Sequence, residues 1–151
     1  MKLPQIILPW AKTSELSANS RLHWRKRHAK VVAQKRTADA LAREKGWHKQ
    51  SIPAGAEIRI TLTFCPPSVG GSPDDDNAVS AQKGALDALA AVLGVNDRQF
   101  RIQAPVRGER CKAGAVIIEA EVCEPKNEAS RKGGNPSGSN HQPVCQERVR
   151  L

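Results

Sequence analysis

Asp74, Asp75, Asp76 and Asn77, followed by Lys83, Asp87 and Asp97, are the residues of this chain best suited to chemistry. Three adjacent carboxylates repel one another, so such a run is comfortable beside a cation. Asp74 and Asp76 converge if their segment is extended, because alternate side chains of an extended chain point the same way. Hard cations held by carboxylates activate water and neutralise developing charge on phosphorus, which is what phosphodiester hydrolysis requires. An ammonium such as that of Lys83 stabilises a phosphate or its leaving oxygen. Asp87 is suited to orienting Lys83 or a metal-bound water. The chain has 24 Lys and Arg against 15 Asp and Glu, a net charge of +9, which suits a polyanionic partner held over the acid cluster. The plainer alternative has Asp75 and Asp76 capping a helix, Lys83–Asp87 as an exposed helical ion pair, and Asp97 as a turn residue.

The elements that must position these residues are legible from periodicity. Residues 57–64 alternate, with Ile58, Ile60, Leu62 and Phe64 on one face and Arg59, Thr61 and Thr63 on the other, the pattern of a half-buried strand. A breaker-rich loop, 65–73, follows, then the acid cluster, then a helix expected over 77–93 and stopped by Gly94. At about 100° per residue, Asp76, Ser80, Lys83 and Asp87 fall within roughly 60° of one another, away from the apolar stripe of Val79, Leu86, Leu89 and Leu93. A first strand is expected at 6–8, a helix over 22–49, and further strands at 101–106 and 116–122. The order strand, helix, strand, helix, strand, strand predicts an α/β (α+β) fold, a small mixed β-sheet with helices packed on it. One domain over 1–124 is expected, followed by a disordered, Gly/Ser/Pro-rich basic tail over 125–151.

Other classes are disfavoured. Aromatic residues make up 3% and Tyr is absent, against a platform of stacked bases. Cys65, Cys111, Cys123 and Cys145 form no CxxC pair and the histidines lack zinc-finger spacing, so thiols in a reducing, cytoplasmic compartment are expected. No apolar run approaches the roughly 20 residues of a membrane span. Residues 20–50 hold ten Lys/Arg and two acids, so nearly the whole net charge sits in one predicted helix. Its front, Arg21, Arg25, Lys26, Arg27 and Lys30, is dense enough for phosphate contacts. Trp24 is expected in the core or at a dimer contact.

The series Asp74-x-Asp76-Asn77, Lys83-Gly-Ala-Leu-Asp87-Ala-Leu89 and Val95-Asn96-Asp97-Arg98-Gln99 resembles the RusA family of Holliday junction resolvases. The opening, Leu8-Pro9-Trp10 and then 19–25, fits as well, so the resemblance covers roughly 5–124. It implies a homodimeric, Mg²⁺- or Mn²⁺-dependent crossover junction endodeoxyribonuclease that nicks four-way DNA junctions symmetrically. Asp74, Asp76 and Asp97 would hold the metal, Lys83 would be catalytic, and Asn77 and Asp87 would support them. The competing expectations are a non-catalytic DNA- or RNA-binding module and an inactive prophage relic.

Overall fold

The structure, a computed structural model, describes residues 1–125. It is a mixed five-stranded sheet with helices on one face. The sheet is built on β2 (Glu57–Cys65), where Ile58, Ile60, Leu62 and Phe64 are buried and Arg59 is exposed, as the alternation requires. β5 (Ala115–Cys123) lies antiparallel to β2 over its whole length, from Glu57 opposite Cys123 to Cys65 opposite Ala115. β1 (Ile6–Pro9) pairs antiparallel with the other edge of β5. Two short strands, β3 (Phe100–Ile102) and β4 (Val106–Arg107), share the far edge of β2 and run parallel to it.

Four helices complete the body: α1 (Thr13–Leu16), α2 (Trp24–Glu44), α3 (Asp75–Ser80) and α4 (Lys83–Leu93). Ala38 and Ala42 of α2 and Ala85, Leu89 and Leu93 of α4 join Ile58, Ile60, Leu62, Val116 and Ile118 in one core. Each large aliphatic side chain so buried contributes about 1.5–3 kcal/mol. Trp47, in a 3₁₀ turn (Trp47–Lys49), is fully buried, and its indole N–H donates to the Pro4 carbonyl at 2.9 Å. That bond ties the region beyond α2 to the start of the chain.

Three boundaries differ from expectation, each for a local reason. The helix expected over 22–49 stops at Glu44, because Gly46 takes the left-handed conformation, φ 80°, that ends helices. The strand expected over 101–106 is split into β3 and β4 around Pro105, which has no N–H to give a ladder. The helix expected over 77–93 is broken at Ala81–Gln82. There the Gln34 amide donates to the Ala81 carbonyl at 2.7 Å, taking the acceptor a continuous helix would use, and Ser80 Oγ donates back to the Asn77 carbonyl at 3.1 Å. Trp24 is 67% exposed, so it is not a core residue. Cys65, Cys111 and Cys123 are free thiols. Among the described residues no helix is long and apolar enough to cross a membrane. The expected tail and Cys145 lie outside the described residues.

Candidate nucleic-acid groove and acidic cluster

α2 starts at His23, whose Nδ1 accepts the Arg25 backbone N–H at 3.3 Å. Its first two turns present Trp24, Arg25, Lys26, His28 and Lys30 to solvent. The Arg25 guanidinium lies 5.2 Å from the Trp24 ring centroid, within cation–π range. Lys30 pairs with Glu15 at 3.7 Å. Arg27 turns inward, donating from Nη2 to the Ser17 carbonyl at 3.2 Å, while its buried Nε has no partner. Of the five basic residues read as phosphate contacts, Arg21, Arg25 and Lys26 therefore stand exposed, whereas Arg27 and Lys30 also hold the 15–17 segment against α2.

A groove of about 440 Å³ separates this end of α2 from the start of α4. Trp24, Arg27, His28 and Lys35 form one wall, and Ser80, Lys83 and Asp87 the other. Gly84 of α4 packs against Gln34 and Val31 of α2. A Cβ on Gly84 would stand 2.7 Å from Gln34 Oε1 and 3.3 Å from Val31 Cγ1. Lys83 pairs with Asp87 at 3.5 Å, the helical i,i+4 spacing.

The acid cluster lies past the carboxyl end of β2. Asp74 is at the N-cap of α3 but its side chain makes no capping bond, and Asp75 and Asp76 occupy the first turn, where the helix dipole favours carboxylates. Arg107 Nη2 meets Asp75 at 2.5 Å and donates to the Pro73 carbonyl at 2.8 Å, and Nη1 bonds Ser72 Oγ. The sequence reading missed Arg107, since only the parallel register that sets Phe64 opposite Arg107 brings it there. Asn77 Oδ1 accepts from Asn19 Nδ2 at 3.0 Å, and Ser80 Oγ accepts the Ala18 N–H at 3.2 Å. These bonds stitch α3 to the loop after α1.

Asp97 opens a 3₁₀ turn (Asp97–Gln99) fixed by a capping box between Asn96 and Gln99. Its neighbour Gln99 donates to the Ala56 carbonyl at 2.9 Å, just ahead of β2. Parallel strands need a crossover, so α3 and α4 leave the carboxyl end of β2 and return to the amino end of β3. Phe100 is opposite Ile58 and Arg107 opposite Phe64, six residues apart on β2. At about 3.3 Å per residue those two positions lie about 20 Å apart along β2, with Asp97 three residues before the first and Asp75 against Arg107 at the second. Lys83, Asp87 and Asp97 line one shallow depression of which Asp74 and Asp76 are not walls.

Mg²⁺ and Mn²⁺ need several oxygen ligands converging at short range. Among the described residues no group of three or more His, Cys, Asp or Glu side chains is arranged to hold a metal ion. One chain thus does not gather Asp74, Asp76 and Asp97, the carboxylates that the resemblance assigns to the metal.

No family model matches the chain. A protein of Xylella fastidiosa (strain Temecula1 / ATCC 700964), described as uncharacterized, is 33% identical over 117 residues, covering 78% of this chain and 75% of that protein. The chain belongs to the family of that Xylella protein.

Proposed function

We propose that the protein is a RusA-like endodeoxyribonuclease acting on four-way DNA junctions, with a DNA strand seated in the groove between α2 and α4. The observation that carries this reading is the juxtaposition, across one groove, of Arg27, His28 and Lys35 on α2 with Lys83 and Asp87 on α4. A groove with cations on both walls tracks a phosphate backbone, and its affinity rises as condensed counterions are released. Lys83 is exposed and tethered by Asp87, so its ammonium is available to offset charge on a phosphate. In this reading the chain's own part is to bind and orient the phosphate; among the described residues the carboxylates form no metal-holding group. A homodimer working in the cytoplasm belongs to the same reading, since two copies would offer two grooves to the arms of a junction.

The dispersal of Asp74, Asp76 and Asp97 favours a second reading, a non-catalytic DNA-binding module. A labelled four-way junction, with linear duplex and flap controls, separates the two. Paired symmetric nicks on the junction alone, dependent on Mg²⁺ or Mn²⁺ and lost in Asp76→Asn, support the nuclease. Salt-sensitive junction binding without nicks in either metal supports the module.

A further inference from the structure

α2 and α4 pack on the face of the sheet that carries Ile58, Ile60 and Leu62. The alternate residues of β2 and β5 point to the opposite face, and none of them is buried. Among the described residues that face is therefore open, and the strand registers fix what it shows, row by row. Toward the carboxyl end of β2, Ile7, Ile117, Thr63 and Val106 stand side by side across β1, β5, β2 and β4. Ile7 and Val106, at the two ends of this row, are 54% and 45% exposed. Pro9, Ala115 and Cys65 make the next row. Toward the amino end of β2 the row is Lys2, Glu121, Arg59 and Arg101. Arg101 pairs with Glu57 at 3.3 Å, whereas among the described residues Arg59 and Glu121 have no ion-pair partner. A hollow of about 530 Å³ beside Arg59, Glu119 and Glu121 leaves room for long side chains.

A sheet face left to water carries polar residues, and the rows around Ile7, Ile117 and Val106 do not. The strand order β1-β5-β2-β3, with β4 also on the outer edge of β2, puts β5 and β2 in the middle of the sheet. A two-fold axis lying between two such sheets, along the strands and midway between β5 and β2, sets β5 of one copy over β2 of the other. Each row then meets its own reverse. Ile7 faces Val106, Ile117 faces Thr63 and Arg59 faces Glu121, each contact made twice. Lys2 comes opposite Arg101, whose guanidinium already has Glu57. We propose that the open face of the sheet is an interface between two copies of this chain, related by that axis. One operation matches both the apolar row and the opposite charges, which favours a second copy over an unrelated partner. Four strands about 4.8 Å apart and about nine residues long offer roughly 600 Å² per copy, near the lower limit of a specific interface. The helices lie on the outside of such a dimer, and with them the two α2–α4 grooves. The use of those grooves by the dimer rests on the DNA reading above; the interface does not.

The test is sedimentation equilibrium of the full chain across micromolar concentrations, where the wild type should dimerise reversibly. Arg59→Glu and Glu121→Arg each set like charges face to face twice, so each alone should dimerise at least about tenfold more weakly. Mixed, the two variants regain both opposite-charge contacts between chains, although each chain keeps like charges within itself. The mixture should therefore form a heterodimer with affinity close to wild type. That recovery reads contact between chains and shows both variants to be folded. If either fails to fold, Ile7→Lys and Val106→Asp, at exposed positions, carry the same comparison. A wild type that stays monomeric, single variants that dimerise as the wild type does, or folded variants that do not recover on mixing overturn the proposal. Four-way junction binding by a monomeric wild type leaves the groove reading standing. A dimer through this face that binds no junction overturns the groove reading and keeps the interface.

Discussion

Gly84→Ala is the sharpest probe of how α2 meets α4. The added Cβ would stand 2.7 Å from Gln34 Oε1 and 3.3 Å from Val31 Cγ1. Val31 is β-branched and helical, so it has little rotamer freedom with which to retreat. Gln34 can move only by giving up its bond to the Ala81 carbonyl. Ala81 is buried, and leaving that carbonyl unpaired costs about 1–3 kcal/mol. Against this, Ala is better than Gly in a helix by up to about 1 kcal/mol, and less in the first turn of α4. The clash wins, with a net loss of about 1–2 kcal/mol, which lowers Tm by roughly 2–8 °C for a chain of this size. Urea and thermal unfolding of wild type, Gly84→Ala, Gln34→Ala and the double variant measure it. Gln34→Ala removes the obstacle, so the double variant should lose less than the sum of the singles, by at least about 0.5 kcal/mol. A Tm raised by Gly84→Ala, with additive singles, would show that the helices do not meet at Gly84 and would remove the groove's wall.

The other predictions concern charge and exposure. Lys83→Met should weaken junction binding and flatten its salt dependence by about one unit of log–log slope, read from affinities between low and moderate salt; an unchanged slope refutes a phosphate contact. Arg107→Ala should change global stability by no more than about 1 kcal/mol, since its pair with Asp75 is exposed. It should nevertheless speed amide exchange at the start of α3, and protection equal to wild type would contradict the pinning described. Trp24→Phe should leave unfolding within about 0.5 kcal/mol of wild type, as befits a surface residue. Junction addition should quench the Trp24 fluorescence, read as the difference between wild type and this variant, and no such difference would take α2 out of the interface.

Legibility in the sequence followed the range of the interactions. The row Ile58, Ile60, Leu62 and Phe64 announces β2, because a two-residue period is a local property. The Lys83–Asp87 pair was equally local and is present. The break between α3 and α4 was not legible, since it depends on Gln34, 47 positions before Ala81. Across that break Ser80, Lys83 and Asp87 still line one groove, as the shared polar stripe of a single helix predicts. The position of Asp97 was hidden for a topological reason. Only the parallel pairing of β3 with β2, which no composition reveals, sends the end of α4 to the opposite end of the sheet from Asp75. Arg107 reached Asp75 through the same register.

The place of β5 in the sheet has a consequence for how the chain acquires its structure. Ile6 pairs with Ile118, more than a hundred positions away, and among the described residues β1 has no neighbour in the sheet other than β5. During synthesis β1 and the apolar row of β2 emerge long before the strand that will sit between them. Such non-local closure slows folding, and it leaves strand edges open to other chains in the meantime. A nascent chain ending before Ala115 would hold two halves of a sheet with nothing between them, a natural client for a chaperone, and its folding would begin in earnest only when the 115–123 segment clears the ribosome.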